Sequence, residues 1–216
     1  MNIKLQDVSV ILNGTSRYNG NQFDTVHVET LLVTDEPIPA EETWYVPNSN
    51  SVPPEVLNFF KIAGLDMNPK KASTILAGTE DIKEMSESEN LQGVMEDSAR
   101  FMLRAIMKKA PLTSVAGATN TYVLSYDYKL YPINETNDFQ FEVRVPFDGL
   151  KLSNGGRVQV TVMAPVGAKI DPNLTKGIDE NKREISEQIA PLSNVNRQIV
   201  SFAYQLDPDF TIYYKY

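Results

Sequence analysis

Tyr122-Val123-Leu124-Ser125-Tyr126-Asp127-Tyr128-Lys129-Leu130 alternates with a period of two. Tyr122, Leu124, Tyr126, Tyr128 and Leu130 fall on one side, and Val123, Ser125, Asp127 and Lys129 on the other. That period belongs to a strand with one buried face. Downstream, Phe139, Phe141, Val143, Val145 and Phe147 alternate with Gln140, Glu142 and Arg144, and the stretch from Pro132 to Asn137 has loop composition. The two runs therefore read as a hairpin. Further on, Ser153-Asn154-Gly155-Gly156 reads as a turn into Val158, Val160 and Val162. The last strands carry Val200, Phe202, Tyr204 and Leu206, then Phe210, Ile212, Tyr214 and Tyr216, around a turn at Asp207-Pro208-Asp209.

The N-terminal part has the same character. Ile3 and Leu5, then Val8, Val10 and Leu12, alternate on either side of an irregularity at Asp7–Val8, the mark of a bulged strand. Asn13-Gly14 and Asn19-Gly20 bound a loop before a second run of Val26, Val28, Thr30 and Leu32. Five prolines (37, 39, 47, 53 and 54) then break the 35–54 stretch into extended pieces, because proline lacks the donor that a central strand needs.

The middle is helical. Pro54 to Gly64 opens with proline and ends on glycine, the favoured asymmetry. A longer helix is expected over 87–109. Ser86 and Glu89 have capping-box spacing, acids precede it, and Arg100, Arg104, Lys108 and Lys109 crowd its end where the helix dipole favours cations. Leu91, Val94, Met95, Ser98, Met102, Ala105 and Ile106 recur at three- and four-residue steps and read as its buried stripe. A further helix is expected near 174–190, with Ile178, Ile185 and Ile189 inward.

These elements imply one α+β domain over 1–216, predominantly antiparallel. Strands from 1–34 and 119–216 form a sandwich-like body of about seven strands, and 54–110 is a helical insertion. No period of 20–50 residues repeats, which argues against a solenoid or propeller.

Composition narrows the chemistry. The 216 residues include no cysteine and a single histidine, which removes thiolate nucleophiles, disulfides, iron–sulfur clusters and two-histidine zinc motifs within one chain. A net charge of -8 argues against a broad nucleic-acid surface or an anionic-membrane surface. No apolar run approaches a membrane span of about 18 residues, and the opening Met1-Asn2-Ile3-Lys4-Leu5 lacks a secretory core. The expectation is cytoplasmic synthesis without a signal peptide. The three N-x-T sequons at Asn13, Asn134 and Asn173 are then chance matches.

Each sharper motif has a plainer reading. His27, between Val26 and Val28 and beside Glu29, would need Ser9 or Ser16 as a partner nucleophile, and no G-x-S-x-G elbow is present, so it reads as a solvated strand residue. Asp171 to Lys182 resembles a calcium loop in its first, third and fifth positions. It carries Lys176 where glycine belongs and Lys182 where glutamate belongs, so a capped helix entry is expected. No glycine-rich phosphate loop occurs. Two convergent carboxylates would serve a glycosidase, but nothing in the sequence pairs any two of the many present. No cofactor and no metal is expected.

What remains is surface. Arg100, Arg104 and Lys108 share a helix face, and tyrosines concentrate on the later strands, so Trp44, Tyr45, Arg100, Arg104, Lys108, Tyr213, Tyr214 and Tyr216 are the expected contact residues. The expectation is a non-enzymatic structural protein working as a subunit among other protein subunits, as a homo-oligomer or beside neighbours in a bacteriophage virion, as a head, collar or tail accessory protein. The Pro-rich 35–54 arm and the last strand would reach those neighbours. A carbohydrate- or protein-binding sandwich module is the alternative, with Trp44 its only tryptophan, and a carboxylate-dependent hydrolase ranks below it.

Overall fold

The computed structural model describes residues 2–48, 52, 54–79, 90–133, 137–145, 147, 150–205 and 208–216. The expected capping box at Ser86 and Glu89, the Asn134 sequon and the Leu206–Asp207 part of the last turn lie outside them.

The protein is mainly β, with several antiparallel sheets and two helices, α1 (Pro54–Ile62) and α2 (Leu91–Ile106). The strands of the larger sheet are β1 (Asn2–Asn13), β2 (Asp24–Thr34), β6 (Thr113–Ser114), β7 (Thr121–Leu130), β9 (Lys151–Met163), β13 (Gln188–Leu192) and β14 (Arg197–Tyr204), in the order β13-β14-β9-β1-β2-β7-β6. The second sheet runs β10 (Lys169–Ile170), β15 (Asp209–Lys215), β11 (Lys176–Ile178), β12 (Glu184–Ile185), and β8 (Asp138–Arg144) also pairs with β15. Their inward residues form one core. Val8, Val10 and Leu12, Val26 and Val28, Leu124, Val158, Val160 and Val162, Val200 and Phe202 come from the first sheet, with Phe139, Phe141, Val143, Phe210, Ile212 and Tyr214 from the second. Two sheets burying one face each against the other is the sandwich solution, and the period-two pattern is its imprint.

Pairing departs from the sequence expectation in three places. The runs at 122–130 and 139–147 are not a hairpin: β7 pairs with β2, and β8 pairs with β15 in the opposite sheet. Alternation reports that a strand is half-buried and says nothing about its partner. Ser153-Asn154-Gly155-Gly156 is no turn between strands but a bulge within β9. Ile3 lies opposite Leu152 and Leu5 opposite Arg157, so 153–156 are absorbed in a parallel pair with β1. A Cβ on Gly156 would stand 2.7 Å from the Ile3 carbonyl oxygen, so only glycine lets the two backbones approach here. The same irregularity replaces the one expected at Asp7–Val8, and it turns Gln6 inward instead of Leu5. Fully buried, Gln6 accepts the Phe147 N–H through Oε1 at 3.2 Å.

The 174–190 segment is not helical. It forms β11, β12 and the start of β13, joined by a turn in which Asp179 Oδ1 accepts the N–H groups of Asn181 and Arg183, both at 2.8 Å. Lys182 takes a left-handed φ of 62° in that turn. Gly177 lies flush on Phe210, where a Cβ would meet ring carbons at 2.7 Å. The 171–175 approach is likewise a turn and not a helix entry, with Asp171 Oδ1 accepting from Asn173 N at 2.9 Å.

A third, small sheet orders β4 (Lys70–Lys71), β3 (Thr43–Val46) and β5 (Lys108–Pro111), and it carries the helical insertion. In β3, Trp44 and Val46 belong to the sandwich core, while Tyr45 belongs to a second cluster with Phe60, Ile75, Ala99, Leu103 and Met107. Helix α1 ends as expected, with Gly64 at φ 69°. Leu65 N donates to Phe60 O at 2.8 Å and Gly64 N to Lys61 O at 3.1 Å, the paired bonds of a Schellman stop.

Candidate functional site

Helix α2 begins at Asn90, whose side chain accepts from Gly93 N at 3.1 Å. Its buried residues are Asp97, Ala99 and Leu103. The stripe expected to be core is therefore largely outside: Leu91 is 70%, Met95 37% and Met102 42% exposed, Phe101 is 42% exposed, and Ala105 is also exposed. Leu91, Met95, Ser98, Met102 and Ala105 follow steps of four, three, four and three, the spacing of a helix seam that receives another helix. Helix α1 adds Leu57 and Ile62, the latter 70% exposed. Six of the eleven large exposed hydrophobics among the described residues lie on these two helices. Exposed apolar side chains in a row along one helix face mark a candidate contact surface.

The helix stops at Ile106, short of the expected 109, and Lys108 and Lys109 lie in β5, so Lys108 does not share a helix face with Arg100 and Arg104. All four cations are engaged with their own chain. Arg104 Nε donates to the Tyr45 hydroxyl at 3.1 Å, with its guanidinium 5.7 Å from the ring centroid, and Lys109 Nζ lies 5.8 Å from the same ring. Arg100 Nη1 donates to Ala77 O at 2.8 Å, and Lys108 Nζ to Asp127 O at 2.6 Å. Lys108 thus ties the insertion to β7, whereas Arg100 bonds within the insertion and Arg104, which stays exposed, meets Tyr45 of β3.

Three of the expected contact residues are enclosed. Trp44 and Tyr214 are fully buried and Tyr45 nearly so. Trp44 packs edge-on against Phe147 at 6.0 Å and presents no face on which a sugar could stack. The C-terminal strand is not an uncovered edge, because β15 has β8 on one side and β10 and β11 on the other. Tyr213 and Tyr216 are half-buried. The Tyr216 hydroxyl donates to Asp24 Oδ2 at 2.9 Å, with Arg17 5.0 Å from its ring centroid. Nor does the described 35–48 part of the arm reach away: Ile38 N donates to the Tyr122 hydroxyl at 2.8 Å, and β3 is the strand shared by both cores.

His27 Nδ1 lies 2.8 Å from Asp127 Oδ1 on the outer surface of the larger sheet. That is the orienting half of a triad, but Ser9 faces Glu29 across the ladder, not His27, and Ser16 is buried with its N–H on Asp24. Among the described residues no three His, Asp or Glu side chains gather to hold a metal ion, and no helix is long and apolar enough to cross a membrane.

Two grooves among the described residues were not foreseen from sequence. An open one of about 940 Å³ runs along the β9 bulge, between Lys151–Arg157 and the Glu180 and Tyr204 side. A cleft of about 600 Å³ lies where the helical insertion meets the sandwich. In it Lys70, itself buried, pairs with Asp66 at 3.1 Å. Burial pushes the Asp66 carboxyl up, but the Lys70 ammonium and the Asn68 N–H outweigh it and hold the group below the ordinary carboxylate range.

The class this architecture defines is a mainly-β α+β sandwich carrying a helical insertion with an exposed apolar face. No protein-family model matches the chain, and no curated protein matches it.

Proposed function

We propose that the chain is a non-enzymatic structural protein, a subunit of a larger assembly, and within that class a component of a bacteriophage virion, as a head, collar or tail accessory protein. The exposed seam of α2 carries the reading. Leu91, Met95 and Met102 stand in water at coiled-coil spacing, and burying such side chains against another subunit's helix is worth roughly 25 cal/mol for each Å² removed from water. Methionine suits such a face because its flexible thioether adapts to the partner's shape. On this reading the contact lies on the helical insertion, since Trp44, Tyr45 and Tyr214 of the arm and last strand are buried within the chain. The virion assignment rests on more general features: a cysteine-free, sheet-rich body with Asn/Gly/Pro loops and no catalytic constellation among the described residues.

Light scattering after size-exclusion chromatography, on the chain alone and on native particles, tests the reading. A fixed copy number in particles is expected, lost in a Leu91→Glu/Met102→Glu variant that melts like the parent. A chain that is monomeric everywhere and absent from every particle fraction overturns it.

A further inference from the structure

Asn-Gly steps occur three times in the chain, at Asn13-Gly14, Asn19-Gly20 and Asn154-Gly155. Such a step has a chemistry of its own. Glycine carries no Cβ, so its backbone nitrogen can approach the side-chain carbonyl of the preceding asparagine without hindrance. The fold holds the first two steps away from that approach. Asn19 Nδ2 donates to Phe23 O at 2.8 Å and its Oδ1 accepts the Gln22 N–H at 2.9 Å, so both ends of the amide are engaged. Asn13 closes β1, laddered opposite Thr25 of β2, and Gly14 is packed against Pro165 and Tyr216. Local opening would have to precede reaction at either position.

Asn154-Gly155 is held by none of these. Both residues are exposed, and the Asn154 side chain makes no hydrogen bond among the described residues. None of 153–156 has a ladder partner in β1 or β14. Ser153 Oγ donates to Ile3 O at 2.9 Å and Gly156 lies against the same oxygen, so the bulge is pinned on both sides and 154–155 form its open apex. Gly155 takes a φ of 75°, and a Cβ there would meet nothing within 4 Å. The apex borders the 940 Å³ groove, between Lys151 and Arg157.

We propose that Asn154 is a self-modification site, at which the folded chain converts asparagine to aspartate and isoaspartate. The Gly155 backbone nitrogen gives up its proton to hydroxide and attacks Asn154 Cγ. The new C–N bond closes a succinimide ring as the Cγ–Nδ2 bond breaks and ammonia leaves. Water then adds to one of the two ring carbonyls. Opening at Cγ yields aspartate, and opening at the backbone carbonyl yields isoaspartate, whose main chain is longer by one carbon. Nothing is oxidised or reduced. Either product adds a negative charge between Lys151 and Arg157, and the longer backbone falls where no ladder register has to be kept.

Incubation of the full chain at mildly alkaline pH, followed by trypsin digestion and mass spectrometry, tests this. Cleavage after Lys and Arg puts the three steps on separate peptides, 5–17, 18–61 and 152–157. In the folded chain the 152–157 peptide should convert at least about tenfold faster than the other two, and in urea the three rates should converge. An Asn154→Gln variant, whose longer side chain closes a larger ring slowly, should melt like the parent and leave that peptide unchanged. Equal rates in the folded chain, faster conversion at Asn13 or Asn19, or a 152–157 peptide that converts only in urea overturns the proposal. So does an order of rates that urea leaves intact, since local sequence and not the fold would then set it.

Discussion

The hydroxyl of Tyr214 donates to Asp24 Oδ2 at 2.7 Å, joining the end of the chain to the start of its second strand. Both residues are fully buried, and the carboxylate also receives the Tyr216 hydroxyl at 2.9 Å and, on Oδ1, the Ser16 N–H at 2.9 Å. Gly14 keeps this corner open, because a Cβ there would collide with the Tyr216 hydroxyl. The two sheets are thus tied by polar bonds as well as by the apolar core.

Replacing Asp24 with Ala leaves the buried Tyr214 hydroxyl and the buried Ser16 N–H without their acceptor, and stability should fall by about 3 kcal/mol or more. Tyr214→Phe leaves the carboxylate two of its donors and should cost about 1–2 kcal/mol. Urea unfolding of both variants and of the double variant measures the coupling. Additive losses would show that the bond contributes nothing.

Alkaline pH should destabilise the protein through the same corner. Burial first, and the Asp24 carboxylate second, push the Tyr214 hydroxyl far above the ordinary phenol range, and burial does the same to Tyr126 and Tyr128. Above about pH 10 an unfolded tyrosine ionises while these stay protonated, so the unfolded chain binds fewer protons and stability falls as pH rises. Below about pH 9 the contribution is fully present. The slope at high pH should reach up to about 1.4 kcal/mol per pH unit for each such hydroxyl and be shallower in Tyr214→Phe. An unchanged slope in that variant would assign the effect elsewhere.

The two sides of α2 should respond oppositely to charge. Leu103→Asp places an unpaired carboxylate in the insertion's core and should cost on the order of 3 kcal/mol or more. Met102→Asp, one residue away on the exposed seam, should cost under about 1 kcal/mol. Thermal melts decide it, and equal losses would place the seam inside.

Deleting 211–216 should abolish folding and not merely association. The segment carries Ile212 and Tyr214 of the core and the ladder bonds to β8. Deleting 36–52 should do the same by removing Trp44, Tyr45 and Val46 from the two cores. A truncated chain that still unfolds cooperatively within a few degrees of the parent would contradict this account.

Alternation and local stop signals were legible in the sequence because they are properties of a few adjacent residues. Val8, Val10 and Leu12, or Phe139, Phe141 and Val143, show their buried side whatever pairs with them. Pro54 and Gly64 bracket α1 through their own backbone limits. The mainly-β α+β class followed from these. The interior or exterior position of α2's stripe did not, because a 4-3-4-3 pattern is the same whether the covering surface belongs to this chain or to another. Likewise Ile178, Ile185 and Ile189 satisfy a helical step, yet Gly177 against Phe210 and the Asp179 turn hold that stretch as short strands.

Composition and periodicity by themselves determined a half-buried, strand-rich chain without thiol chemistry and with a helical middle. Only the tertiary structure decided that β1 runs parallel to β9, that Trp44 sits inside the sandwich core instead of on a surface, and that four cations from separate elements line one cleft. The physical reason is distance along the chain. Burial periodicity arises between neighbours a few residues apart, whereas pairing, enclosure and charge convergence depend on contacts such as Asp24–Tyr214, which nothing near either residue specifies.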